Sequence, residues 1–132
     1  MERLYIEMKK IILDTNFLMI PYQFNVDIFE EIKRIMEEKY ELIIFDKIIK
    51  ELEKIAESKG KDASAARIAL KLIEEKEVKI ITTNEKTVDN AIIDATDKNT
   101  IVATNDKILK ERLKNKNIKI IYLRNKKYLE MS

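Results

Sequence analysis

Apolar residues gather along this chain in short dense blocks separated by longer stretches with a different spacing. The blocks at residues 10–14 (KIILD), 41–45 (ELIIF), 78–81 (VKII), 100–103 (TIVA) and 118–123 (IKIIYL) are too short for helices and suit buried strands. Between them the apolar positions repeat at helical intervals. Residues 26–39 place Ile28, Phe29, Ile32, Ile35 and Met36 on one face, which predicts a helix. Residues 47–58 carry a stripe of Ile48, Ile49, Leu52, Ile55 and Ala56. Asp46 stands before this helix as its N-cap, and Gly60 after it where a C-cap glycine belongs. Further helices are predicted over 63–75, 86–98 and 106–114. Strands joined by helices pair in parallel through right-handed crossovers. The predicted fold is therefore α/β: a three-layer helix–sheet–helix sandwich with a central parallel sheet of about five strands. Ligands of such sheets collect outside the carboxyl ends of the strands, so the chemistry is expected there.

The chain has 132 residues, with apolar residues along its whole length and neither repeats nor linker-like stretches. One domain spanning 1–132 is expected. The composition narrows the chemistry by what it lacks. There is no cysteine and no histidine, which removes disulfides, Cys/His zinc sites, thiol nucleophiles and imidazole bases. Carboxylates, hydroxyls, lysines and a hard metal ion remain. The single glycine excludes a glycine-rich phosphate loop. No apolar run is long enough for a membrane span, and none reads as a signal peptide, so a cytoplasmic protein without membrane contact is expected. The net charge of +2 is unevenly placed. Residues 107–132 hold nine Lys/Arg against two Glu, and the remainder seventeen against twenty-two acids. An acidic body with a basic tail at about 124–132 suits an anionic partner held beside an acidic site.

Four acids stand where the fold would bring them together. Asp14 closes the first strand and is followed by Thr15 and Asn16. Asp106 closes the segment Ala103–Thr104–Asn105–Asp106 after the fourth strand. Both positions also suit turns and helix caps. Glu51 flanks the apolar stripe of its helix beside Ile55. Asp89 falls within the face formed by Val88, Ile92, Ile93, Ala95 and Thr96, while Asn90, Asp94 and Asp97 point the other way. A carboxylate on a core-facing stripe needs partners, because an unpaired buried charge is costly. Carboxylates meeting at one sheet edge repel unless a cation neutralises them or some take up protons. With only oxygen ligands to offer, such a cluster suits Mg²⁺ or Mn²⁺.

These residues, in this order, resemble the PIN-domain nucleases. The resemblance rests on Asp14–Thr15–Asn16 after an apolar strand, Lys50–Glu51–Leu52 in a helix, Asp89 with Ile92 three residues on, and Thr104–Asn105–Asp106 after a strand. It covers nearly the whole chain. It implies a five-stranded parallel sheet, Mg²⁺- or Mn²⁺-dependent endonuclease activity on single-stranded RNA, and a homodimer. It carries catalytic and metal-binding roles to Asp14, Glu51, Asp89 and Asp106, with Thr15, Asn16 and Thr104 as supporting polar positions. Two branches of the family fit: the VapC-type toxins, which have an antitoxin partner, and the nucleases that process small-subunit ribosomal RNA. The stretch DTNFLMIPYQFNVDIF, with Pro21 and Gln23–Phe24, and the basic aromatic ending from Tyr122 to Tyr128 are more similar to the second. That branch often has two adjacent acids where this chain has Asp89–Asn90.

Arg124, Lys126 and Lys127 are expected to contact RNA phosphates. Tyr22 and Phe24, in the loop after Asp14, are expected to pack against the sheet or a partner chain, with stacking on unpaired bases the alternative. Two rivals come from other classes. A catalytically silent RNA-binding or assembly module of the same fold would have lost acids, and all four are present. A phosphatase would carry Asp-x-Asp after the first strand, where this chain has Asn16 in the third place.

Overall fold

A computed structural model describes residues 8–132 of the chain. Strand β1 (Lys9–Leu13) runs through the middle of the sheet, with Ile11, Ile12 and Leu13 all buried. Such a strand is covered on both faces, which is why its sequence is continuously apolar rather than alternating. It is followed by two short helices, α1 (Thr15–Leu18) and α2 (Ile20–Phe24), and by α3 (Ile28–Ile35). Then come β2 (Tyr40–Phe45), α4 (Asp46–Ala56), α5 (Lys61–Glu75), β3 (Lys79–Ile81), α6 (Val88–Asp94) and β4 (Thr100–Ala103). The chain ends with α7 (Lys107–Asn115), β5 (Lys119–Arg124) and β6 (Tyr128–Met131).

The strand order is β3-β2-β1-β4-β5-β6. The first five strands are parallel, as predicted, and β6 is antiparallel to β5. Successive residues alternate between two cores. Ile11, Leu13, Ile44, Ala103 and Ile121 face α1 to α5 through Phe17, Leu18, Ile28, Ile32, Ile48, Leu52 and Ala66. Ile12, Ile43, Phe45, Val102 and Ile120 face α6 and α7 through Ala91, Ile92, Leu109 and Leu113. This is the three-layer sandwich expected from the pattern. Each large side chain buried in it contributes about 1.5–3 kcal/mol.

Several local expectations are corrected. Residues 124–132 are no free tail. Arg124 to Lys127 form a turn closed by Lys127 N–H donating to Arg124 C=O at 3.1 Å, with Asn125 at φ 53° and Lys126 at φ 57°. Two left-handed central residues are what a tight hairpin demands. The outer edge of β6 is capped from α3: Leu129 N–H donates to Glu31 Oε1 at 2.9 Å, and Arg34 Nη2 donates to Leu129 C=O at 2.8 Å. Gly60, expected as a C-cap, instead precedes α5 as its N-cap residue at φ 95°. Asp46 is not the cap of α4 but its first residue. Its Oδ1 accepts from Lys47 N–H at 3.0 Å and from Thr83 N–H at 3.1 Å, tying the loop after β3 to the start of α4. The helices predicted over 26–39 and 86–98 are shorter, running Ile28–Ile35 and Val88–Asp94, because their last apolar positions belong to the turns that lead into β2 and β4. Tyr22 lies in α2 and Phe24 ends it; both side chains are exposed rather than packed on the sheet. No helix of the described residues is long and apolar enough to cross a membrane.

Candidate active site

The topology reverses between β1 and β4: the chain builds outward through β2 and β3, then crosses to the other side of β1. Open parallel sheets bind ligands at the carboxyl end of such a switch point. The register pairs Leu13 with Ala103, so the next residues, Asp14 and Thr104, emerge side by side. Asp14 N–H donates to Ala103 C=O at 3.0 Å, and Thr104 N–H to Ile121 C=O at 3.0 Å, extending the ladder by one residue.

Asp14 is 5% exposed and Thr104 fully buried. Both carboxylate oxygens of Asp14 are held. Oδ1 accepts from Thr15 N–H at 2.8 Å, and Oδ2 accepts from the Thr104 hydroxyl at 2.7 Å. Burial pushes the Asp14 carboxyl above its ordinary range against the pull of these two donors, and the charges of Asp89 and Asp106 push it further. The Thr104 hydroxyl oxygen also accepts from Asp106 N–H at 3.0 Å, so one buried hydroxyl positions two acids.

Asp106 N-caps α7 through Oδ1, which accepts from Leu109 N–H at 2.9 Å. The cap and the site are therefore not alternatives: one oxygen serves the helix and the carboxylate still lies beside Asp14. Asp89 sits in the first turn of α6, half-buried. Desolvation and then the charge of Asp106 raise its carboxyl, and Arg112 of α7 draws it back. Arg112 also donates from Nη2 to Asn90 Oδ1 at 3.2 Å. Asn90 is thus turned outward, as expected, onto a cation that nothing in the residue pattern singled out. Glu51 lies at the margin. It is exposed, but its Oε1 accepts from the Thr15 hydroxyl at 3.0 Å. Thr15 is the link, offering its N–H to Asp14 and its hydroxyl to Glu51. Asn16 is exposed on α1.

Asp14, Asp89 and Asp106 thus feel one another's charge, and Glu51 joins them through Thr15. Among the described residues, no three acidic side chains close to ion-ligating distance by themselves, as mutually repelling carboxylates would be expected to stand. The donor set is oxygen throughout, which fits a hard divalent cation in kind. Asp14, Asp89 and Asp106 are the groups that would hold one if the ion drew them together, with Glu51 at the flank. Arg124 pairs with Glu130 at 2.9 Å, and Glu130 also accepts from the Tyr122 hydroxyl at 2.9 Å. Lys126 and Lys127 stand exposed in the hairpin turn. Leu123 N–H donates to Asn105 Oδ1 at 2.9 Å, anchoring that hairpin to the segment carrying Thr104 and Asp106.

The PIN like domain family matches residues 11–126. The chain is 39% identical to Ribonuclease VapC4 of Methanocaldococcus jannaschii, over 94% of this chain and 97% of that protein. It is 36% identical to Ribonuclease VapC9 of Archaeoglobus fulgidus, over 88% of this chain and 84% of that protein. Among solved structures, the PIN domain endonuclease Utp24 superposes with a TM-score of 0.78 at 28% identity, covering 93% of this chain and 90% of that one. A domain from M. jannaschii with a TM-score of 0.56 and 22% identity shares the fold.

Proposed function

This chain belongs to the PIN like domain family, and from that membership we propose that it is a metal-dependent endoribonuclease that hydrolyses phosphodiester bonds of single-stranded RNA. The observation that carries the reading is the buried Asp14, pinned through both oxygens at the carboxyl end of the central strand and charge-coupled to Asp89 and Asp106. A carboxylate is placed in so unfavourable a setting at a cost in stability, and active sites are where such costs recur. The ribonuclease names of two relatives spanning most of the chain support RNA as the substrate.

Asp14, Asp89 and Asp106, with Glu51 completing the set directly or through water, would hold Mg²⁺ or Mn²⁺. When bound, such an ion supplies Lewis-acid stabilisation of the charge developing on the phosphate and eases deprotonation of the attacking water. The chain's own residues do the positioning. Thr104 and Thr15 fix the orientation of Asp14. Thr104 also holds the backbone of Asp106, and Thr15 turns Glu51 toward the cluster. Water attacks phosphorus as the bond from phosphorus to the leaving oxygen breaks; the proton that the attacking water gives up passes to solvent, and solvent returns one to the leaving oxygen. Lys126 and Lys127, with Arg124 partly neutralised by Glu130, contact phosphates on the β5–β6 side.

In the cell the favoured role is that of a VapC-type toxin with an antitoxin protein as partner, because both VapC-named relatives match most of the chain's length. The stretch from Asp14 through Pro21 and Gln23–Phe24 supports processing of small-subunit ribosomal RNA as the second reading. The test is cleavage of labelled single-stranded and structured RNA with Mn²⁺, Mg²⁺ or EDTA, comparing wild type with Asp14→Asn. Cutting should require the metal and fall at least about a hundredfold in the variant, with an unchanged circular dichroism spectrum. Full activity of Asp14→Asn would contradict the assignment.

A further inference from the structure

A groove of about 390 Å³ opens beside the acid cluster, between the start of α4 and the loop that leads into α6. Its walls carry Lys47, Lys50 and Lys86 around Glu51, Thr87 and Val88. We propose that this groove seats the backbone phosphates of the RNA strand on the β2–β3 side of the scissile bond, with Lys47, Lys50 and Lys86 as the phosphate-contacting residues. The inference rests on the ribonuclease reading and names the part of the substrate that reading left without a partner.

The groove and the acids share a residue. Glu51 lines the groove and is joined to Asp14 through Thr15, whose hydroxyl it accepts and whose N–H Asp14 accepts. A polyanion reaching the acids meets repulsion from Asp14, Asp89 and Asp106, so cations close by are what would hold it there.

The three lysines are kept available. Among the described residues, the four ion pairs involve none of them. Helical spacing offers an acid to both groove lysines of α4: Glu51 lies four residues after Lys47, and Asp46 four before Lys50. Both acids are turned elsewhere, Glu51 to the Thr15 hydroxyl and Asp46 to the N–H groups of Lys47 and Thr83. The charge of the three clustered lysines is thus left uncompensated by ion pairs among the described residues, which leaves it available to an anion from outside.

The groove is also preformed. The Asp46–Thr83 bond fastens one wall to the other, the Thr83 hydroxyl accepts from Glu85 N–H at 3.1 Å, and Thr87 caps α6 through Asn90 N–H. Little ordering is left to be done on binding, which favours affinity. The strand order supplies the direction. The groove lies on the β2–β3 side of Asp14 and the Lys126–Lys127 turn at the end of β5. From β2 to β5 is three strand spacings, roughly 14 Å, so a strand laid along this edge has cations on both sides of the acids.

The test measures binding of a fluorescein-labelled single-stranded twelve-nucleotide oligouridine RNA by anisotropy over a range of KCl, in the Asp14→Asn background to prevent cutting. Lys47→Gln/Lys50→Gln/Lys86→Gln should lower the slope of log affinity against log salt by about 2, at about 0.7 for each phosphate no longer neutralised. Lys86→Gln alone should lower it by about 0.7, and the triple Lys→Arg variant should keep the parent slope. In the active protein the loss should appear in KM rather than kcat, with Tm unmoved. An unchanged slope in the triple Gln variant, with RNA still bound by its parent, overturns the groove assignment and leaves the ribonuclease reading standing. Absence of both RNA binding and RNA cleavage by the wild type overturns both.

Discussion

Thr104 is the residue on which the geometry of the acid cluster turns, and Thr104→Val tests it with almost no change of shape. The substitution removes a charge-assisted hydrogen bond at 2.7 Å to Asp14 and a neutral one at 3.0 Å from Asp106 N–H. Such bonds contribute about 1.5–3 and 0.5–1.5 kcal/mol respectively. Thr104 is fully buried, so water does not replace the lost donor. Burying a methyl in place of a hydroxyl returns about 1 kcal/mol. The net expectation is a loss of about 2 kcal/mol at pH 7, or about 6–10 °C in Tm for a domain of this size. Urea unfolding in EDTA, followed by circular dichroism, measures it. Thr104→Ser keeps the hydroxyl and should lose about 1 kcal/mol for its missing methyl, with activity retained. The pH dependence carries the mechanism. The Thr104 hydroxyl is the largest influence holding the Asp14 carboxyl down, and the variant should bind that proton more tightly. The gap between wild type and Thr104→Val should therefore be widest where Asp14 is ionised and narrow as pH falls through its titration. A valine variant within about 0.5 kcal/mol of wild type at pH 7, well under the worth of the bonds removed, or a gap that widens in acid, would refute the reasoning.

Two further outcomes concern stability. The Asp97 carboxyl is held down to about 2, first by the Lys10 ammonium at 2.7 Å and then by Asn99 N–H. A lowered folded-state value contributes stability above the unfolded value of about 3.9 and loses it as pH falls toward the folded one. Lys10→Met should thus cost less than about 1 kcal/mol at pH 7, since the pair is partly exposed. Its Tm should converge on that of wild type between pH 4 and 2; a gap that persists at pH 2 counts against the pair. Lys126→Gly should stabilise the hairpin by about 1 kcal/mol, because Lys126 holds φ 57° and an L side chain is strained there. Thermal unfolding would measure this, and a lower Tm would mean that the lysine side chain contributes packing not apparent in its exposed position.

The sheet and its helices were legible because short apolar blocks and 3.6-residue spacing are set by burial alone. The places of Asp14 and Asp106 were legible, since the ends of β1 and β4 follow from where the apolar blocks stop, and that of Asp89 from the apolar face of its helix. What could not be read was the work of single side chains across long sequence separations. Nothing local in Asp46 distinguishes a cap from a brace to Thr83, thirty-seven residues away. The helices α1 and α2 escaped notice because four or five residues give no period to detect. The last strand was hidden by its charge: Asn125, Lys126 and Lys127 read as a solvated tail, and only the alternation of Tyr128, Leu129, Glu130 and Met131 signalled a strand with one buried position. The lysines beside Glu51 were invisible for the opposite reason, since an unpaired lysine and a paired one are spelled alike.

The capping of β6 by α3 has a consequence for crowded solution. An open strand edge is a template on which another chain can add a strand. At Leu129 both backbone groups that would receive a newcomer are already occupied, the N–H by Glu31 and the C=O by Arg34. Two side chains thereby stand in for the neighbouring strand that is not there. At the opposite edge, β3 offers three residues, and Lys79 is one of them. Growth of the sheet from one molecule into the next is thus opposed by occupancy at Leu129 on one side and by brevity and charge on the other.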